Sequence, residues 1–274
     1  MNLKPITILY EDRNVLVVNK PAGIVVHADG RTDEPTLVDW ILKHYPKIRG
    51  VGEPIQDSRP HDAVGQARFM NQESMAFSRS GIVHRIDRET SGVLAVAKNQ
   101  KTFLSLKKQF QDREVEKSYR AFVYGEMKGD EGTINRPIAR SRKDFRLWSA
   151  QRGGRGQERE AITEYKVLAR SNPFQSDSFG LARHKGFSFL EINPKTGRTH
   201  QIRVHLKAIN HPVVCDKLYA PKRDCAMGFK RLALHAFFIS FTLPSDKRIK
   251  VEAPYPSDFV SAIALLADFS ERDS

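Results

Sequence analysis

The chain has 274 residues, 40% of them hydrophobic, and carries 45 Lys and Arg against 32 Asp and Glu for a formal charge of +13. That length and apolar content bury a real core, which excludes a disordered or fibrous chain. Two cysteines, Cys215 and Cys225, are too few for a disulfide framework or a four-cysteine zinc site, so a reducing compartment fits. No stretch approaches the roughly eighteen apolar residues of a membrane helix, and the N-terminus lacks a signal-peptide core, which points to the cytoplasm. The positive excess suits a polyanion such as nucleic acid, although an unclustered solvated surface gives the same total.

Residues 8–27, ILYEDRNVLVVNKPAGIVVH, predict a short strand, an Asp-Arg-Asn turn, a strand through Val15 to Val18, a Pro-Ala-Gly turn and a strand at Ile24 to Val26. This run predicts that the chain enters its fold directly, without an N-terminal accessory domain. Leu37, Trp40, Ile41 and Leu42 have helical spacing, and Thr36 can cap that helix. Residues 46–80, rich in Gly, Pro, Gln, Ser and Arg, predict a long loop or insertion able to touch a ligand. A helix over residues 100–111 and a strand over 117–124 follow. Residues 139–160, ARSRKDFRLWSAQRGGRGQERE, are basic and broken by glycines, which predicts a flexible arm or hairpin tip. Strands fit residues 161–169, 186–194 and 232–243, with an amphipathic helix over 199–210. Strands and helices do not alternate regularly, so the fold class is α+β.

Three groups of residues carry candidate chemistry. In residues 80–99, SGIVHRIDRETSGVLAVAKN, Asp87 stands between Arg85 and Arg88 before a turn and an apolar strand. An ordinary Asx turn explains that; so does a carboxylate held at the end of a rigid strand, with guanidinium groups near enough to favour its ionised form. Around residues 193–219, Thr199 can cap a helix whose stripe is Ile202, Leu206 and Ile209. Arg203 and Lys207 lie off that stripe on what reads as a wet basic face. Alternatively, Arg198, His200 and Arg203 gather at a helix N-terminus that favours an anion. Third, Tyr119, two residues after Lys117, is either a packed strand aromatic or a phenol offering a stacking face and a hydroxyl. His84, His200, His205 and His235 match no metal-ligand spacing. No phosphate loop, dinucleotide fingerprint or nucleophile elbow occurs.

Taken in order, VLVVNKPAGIVVH, GIVHRIDRETSGVLAVAK, KSYRAFVYGE, EINPKTGRTHQIRVHLKAINHPVVCDKLY and RLALHAFFISF resemble the RluA-type RNA pseudouridine synthases from about residue 8 to residue 256. The resemblance implies a single catalytic domain over the chain, built on a mixed, mostly antiparallel sheet flanked by helices and loops. It implies isomerisation of uridine in ribosomal or transfer RNA by a cytoplasmic monomer, with no cofactor or metal. Asp87 would be the catalytic aspartate, as nucleophile or as base in a glycal route. Arg203 would pair with it, and Tyr119 would stack on the target base and help remove the C5 proton. Arg85 would fill the space left by the flipped uridine, with Arg198, His200 and Ile202 among the substrate contacts. A base in a stack is unreachable, so extrusion must be offset by stacking and phosphate contacts. Ile86 stands where leucine is usual, and Asn210, Cys215 and Ala220 replace frequent glycines. The S4-like N-terminal domain of several relatives has no counterpart, which leaves the 46–80 and 139–160 segments as the additional RNA contacts. Two other readings remain: a noncatalytic RNA-binding or ribosome-assembly factor on the same fold, and a ribonuclease using His84 or His200.

Overall fold

The computed structural model describes residues 5–27, 34–53, 80–142, 144, 146–151, 153–171 and 186–271. Most of the long loop expected at 46–80 lies outside them. In chain order the elements are β1 (Thr7–Glu11), β2 (Val15–Lys20), α1 (Leu37–His44), β3 (Ser91–Ala97), α2 (Gln100–Gln111), β4 (Glu116–Tyr124), β5 (Glu131–Asn135), β6 (Ile138–Arg140), β7 (Trp148–Ser149), β8 (Arg155–Arg159), β9 (Ile162–Arg170), β10 (Phe187–Pro194), α3 (Gln201–Ala208), β11 (Leu234–Thr242), β12 (Arg248–Glu252) and α4 (Ser257–Glu271). The class is α+β, with antiparallel pairing everywhere except between β3 and β11 among the pairings with a given register. Internal contacts divide the chain into two compact units.

The first unit holds residues 1–88, 93–115 and 240–251. β1 and β2 form an antiparallel hairpin, and β2 neighbours β3. The Asp12 carboxylate makes the turn by accepting the amides of Asn14 (2.7 Å) and Val15 (2.6 Å), the usual work of an Asx side chain. Every residue of β3 is buried, so its run of apolar residues marks a strand covered on both faces. α1 begins with a capping box: Thr36 Oγ1 accepts the Asp39 amide and Asp39 Oδ2 accepts the Thr36 amide.

The strand predicted at Ile24 to Val26 does not form. The carbonyls of Val25 and Val26 instead accept the amides of Leu37 (2.9 Å) and Val38 (3.2 Å), the orphan donors at the start of α1. α2 is capped by Asn99, whose side chain accepts the Thr102 amide at 3.0 Å. It buries Phe103 and Leu106, and the Gln109 side chain exchanges two 2.9 Å hydrogen bonds with the Thr242 backbone.

The second unit holds residues 89–92, 116–239 and 252–274. Its strands run β11-β4-β10-β9-β5, with β10 antiparallel to both β4 and β9. At the centre of its core Phe122 stacks on Phe189 and meets Phe229 and Phe259 at steeper angles, and Ile202 and Leu206 of α3 pack into it. The start of β3 pairs in parallel with β11 through His235↔Ser91 and Ala236↔Gly92. Gly92 has φ +115°, and a Cβ there would lie 2.0 Å from the Ala236 carbonyl oxygen; only glycine fits.

β6, β7 and β8 form a separate three-stranded antiparallel sheet, ordered β7-β6-β8. Of the two forms expected for this segment, a flexible arm or a hairpin tip, the antiparallel pairing fits the hairpin, and buried Ile138 and Ala139 give β6 an apolar foothold. Cys215 and Cys225, expected as thiols of a reducing compartment, are instead joined by a disulfide, their Cα atoms 4.4 Å apart and close enough for the bridge. Asn210 and Cys215, two of the positions where glycine is frequent in the resembling family, have φ of 66° and 60°. They keep the left-handed backbone that glycine adopts at lowest cost. Among the described residues no helix is long and apolar enough to cross a membrane, and no group of three or more His, Cys, Asp or Glu is placed to hold a metal ion.

Candidate active site

Asp87 is half-buried and follows the buried Ile86, while Arg85 is exposed. The chain on either side of it is fastened at several points within the first unit. Upstream, Ile82 bridges Val96, the Ala97 amide donates to Gly81 O at 2.8 Å, and the Ala95 amide donates to His84 Nε2 at 3.0 Å. The His84 ring also stacks on Phe110 with centroids 4.9 Å apart. These bonds make His84 a fastening of the segment, which argues against the ribonuclease reading for it.

Downstream, the Arg88 carbonyl accepts both the Gly23 amide (2.8 Å) and Lys20 Nζ (3.0 Å). Lys20 is fully buried, and its ammonium also donates to Ile24 O (2.8 Å) and Pro21 O (3.0 Å). A charged donor satisfied by three carbonyls is a strong clamp. The Arg88 side chain closes the same turn by donating to Gly23 O and pairing with Glu34 at 2.7 Å. The turn after Asp87 is therefore bolted to the Lys-Pro-Ala-Gly turn.

In the second unit, Arg203 does not lie on a wet face. Gln201, Ile202, Arg203, Val204, His205 and Leu206 are all buried. Arg203 makes a bidentate pair with Asp216, Nε to Oδ2 and Nη2 to Oδ1, both 2.8 Å, and its guanidinium lies 5.0 Å from the Tyr219 ring centroid. Asp216 Oδ1 also accepts the amides of Leu218 (3.0 Å) and Tyr219 (2.9 Å). A carboxylate this fully bonded orients the guanidinium in two directions at once.

Thr199 does not cap α3. The N-cap is His200, left-handed at φ 55° and without a side-chain cap bond. Gln201 orders the approach instead: its Oε1 accepts from Thr196 Oγ1 (2.7 Å) and the Arg198 amide (3.0 Å), and its Nε2 donates to Ile162 O and Thr163 Oγ1, each 3.0 Å. His200 Nδ1 is hydrogen-bonded to the Tyr219 hydroxyl at 2.9 Å. Arg198 Nε donates to Glu160 O at 3.0 Å, and Ile202 belongs to the hydrophobic core.

Tyr119 is half-buried on β4, opposite Ile192 of β10, and packs against the core. The period of two puts Lys117 on its face, where burial lowers the Lys117 pKa. The other face carries Arg120, which pairs with Glu191 at 2.7 Å and donates to Ser118 Oγ and the Tyr255 hydroxyl. His205 and His235 are buried, and burial lowers the pKa of each, to about 4 for His235; His205 is hydrogen-bonded to Thr163 Oγ1 and His235 to Ser91 Oγ. Both are neutral packing groups. The roles of Asp216, Tyr219 and Lys20 escaped the sequence reading. The signal for the first two was an aspartate directly after the apolar run VVC, followed three residues later by tyrosine.

Comparison with known proteins agrees with this frame. Residues 14–208 match the RNA pseudouridylate synthase family. The chain is 36% identical over 257 residues to an uncharacterised RNA pseudouridine synthase of Bacillus subtilis, covering 93% of this chain and 71% of that one. It is 34% identical over 262 residues to the ribosomal large subunit pseudouridine synthase D of Zymomonas mobilis, covering 93% and 70%. The structure of human RNA pseudouridylate synthase domain containing 1 superposes with a TM-score of 0.65 at 25% identity, over 93% of this chain and 86% of that one. On the family match and on relatives more than 30% identical over most of both chains, the protein belongs to the RNA pseudouridine synthases of the RluA type.

Proposed function

We propose that this isomerase acts on uridines of ribosomal RNA and that Asp87 is its catalytic residue. The observation that carries the reading is the fastening of the Asp87 segment from both sides, by Ala95 to His84 upstream and by Lys20 and Gly23 to the Arg88 carbonyl downstream. Such a scaffold holds one carboxylate in place. An aspartate in a plain surface turn needs no buried ammonium beneath it. Ribosomal RNA is favoured over transfer RNA because a well-covered relative is named for the ribosomal large subunit.

The reaction balances within the substrate. The bond from C1′ to N1 breaks, the uracil turns, C1′ joins C5, and the proton lost from C5 is matched by one gained at N1. No oxidant, metal or nucleotide enters. Asp87 acts on the ribose, either at C1′ as nucleophile or as base in a glycal route. Tyr119 offers its ring to the extruded base and its hydroxyl to the C5 proton, and Arg203 supplies the guanidinium that Asp216 orients. Arg85, exposed two residues before Asp87, takes the place of the flipped uridine, and Arg198 and His200 serve phosphates. The protein works in the cytoplasm as a monomer.

The test adds purified protein to ribosomal and to transfer RNA from cells lacking the gene and maps carbodiimide-dependent reverse-transcription stops. Discrete new stops in ribosomal RNA are expected. Stops confined to transfer RNA would overturn the substrate assignment, and binding without any stop would establish a noncatalytic RNA-binding factor.

A further inference from the structure

The small sheet of β6, β7 and β8 has a surface that its packing does not require. In its register Arg140 faces Trp148 on one side and Arg155 on the other. Directly opposed residues of an antiparallel ladder share a face, so indole, guanidinium and guanidinium form one row across three strands. The Arg140 guanidinium lies 4.3 Å from the Trp148 ring centroid. β8 is an edge strand exposed along its whole length. Residues 139–160 hold seven Arg and Lys against three acids, and one acid, Asp144, is engaged by Arg146 at 2.7 Å.

A second observation ties this surface to the candidate site of the same unit. The Trp148 amide donates to the Tyr219 hydroxyl at 3.1 Å. That hydroxyl is also bonded to His200, and the Tyr219 ring lies against Arg203. Ile138 of β6 packs with Val204 of α3 and with Tyr219. Whatever the row grips is therefore held in fixed register with Arg203 and the start of α3.

Resting on the RNA-modifying reading above, we propose that this row is a docking platform for unpaired RNA beside the target uridine. An unpaired base stacks on the Arg140 guanidinium, backed by the Trp148 indole, and Arg155 takes the neighbouring phosphate. Planar cations and aromatic rings accept any base face, and single-stranded RNA is the form of RNA that exposes such faces. A duplex hides its base faces and offers phosphates alone.

The test is fluorescence anisotropy of a labelled single-stranded oligoribonucleotide of about 12 nucleotides, a length in the range that single-strand-binding folds cover, against the same sequence as a duplex, at several salt concentrations. Native protein is expected to prefer the single strand. Arg140→Ala and Arg155→Ala each weaken that binding about tenfold, and Arg155→Ala, which removes the phosphate contact, also lowers the slope of log affinity against log salt by roughly one. Arg140→Lys keeps the slope but still loses several-fold, because an ammonium has no plane to stack. Lys247→Ala, an exposed cation far along the chain, changes neither. Affinities and slopes equal to native for both alanine variants, or an Arg140→Lys protein equal to native, would overturn the proposal. The readout needs no catalysis. A protein that binds through the row but forms no pseudouridine would sink the proposed function and leave the platform standing.

Discussion

Asp216 decides where the Arg203 guanidinium can point, because two parallel 2.8 Å bonds leave it one orientation. Asp216→Asn preserves shape and removes the charge, which leaves the buried guanidinium facing an amide in place of a carboxylate. It should cost about 3 kcal/mol of stability and lower kcat at least tenfold with a smaller change in KM. Urea denaturation and initial rates check both, and a native kcat would show that Arg203 needs no orienting carboxylate. Lys20→Met should leave the carbonyls of Pro21, Ile24 and Arg88 without their shared donor. The expected loss is about 2–3 kcal/mol, with slower catalysis because Asp87 sits directly before Arg88; native stability and rate together would remove Lys20 from the account. Asp87, Tyr119 and Arg203 could be singled out as candidates because their motifs are long and ordered along the chain. Lys20 was not, since a lysine before a proline reads as surface charge until the carbonyl of Arg88, 68 residues away, comes to rest on it.

Elements were legible where hydrophobic period and caps agree. α2 spans the predicted residues 100–111, and Thr36 caps α1 as predicted. Failures occurred where backbone groups found partners distant in sequence: Val25 and Val26 give their carbonyls to α1, and α3 is introduced by the Gln201 side chain. The small sheet was hidden because its strands carry charge where alternation of apolar and polar residues would be sought. Gly92→Ala places a Cβ against the Ala236 carbonyl and should cost several kcal/mol by forcing β3 from β11. An unchanged melting temperature would contradict that close approach.

Buried His235 makes the same region sensitive to acid. Its folded pKa of about 4 lies below the ordinary 6.5, so between those values unfolded chains bind a proton that folded chains refuse. Stability is fully present above pH 6.5 and declines as pH falls towards 4, by on the order of 3 kcal/mol. Burial lowers His205 in the same sense. Urea midpoints of native protein and His235→Gln should converge across that window, and parallel curves would refute the assignment.

At the scale of the whole molecule, a charge of +13 indicated a polyanionic partner without saying which, and composition left the chemistry undefined. The reaction class became legible only from the ordered motifs, and the family comparison agrees with it. The uridine itself is not written in those motifs, because site choice depends on RNA shape and on surfaces such as the small sheet.

The central claim is that Asp87 performs the chemistry, and the direct measurement is tritium release from ribosomal RNA labelled at uridine C5, by native protein and by Asp87→Asn. Native protein should release tritium and the variant at least about 10³-fold more slowly, with native RNA affinity and native unfolding midpoint. Release by Asp87→Asn at the native rate would contradict it.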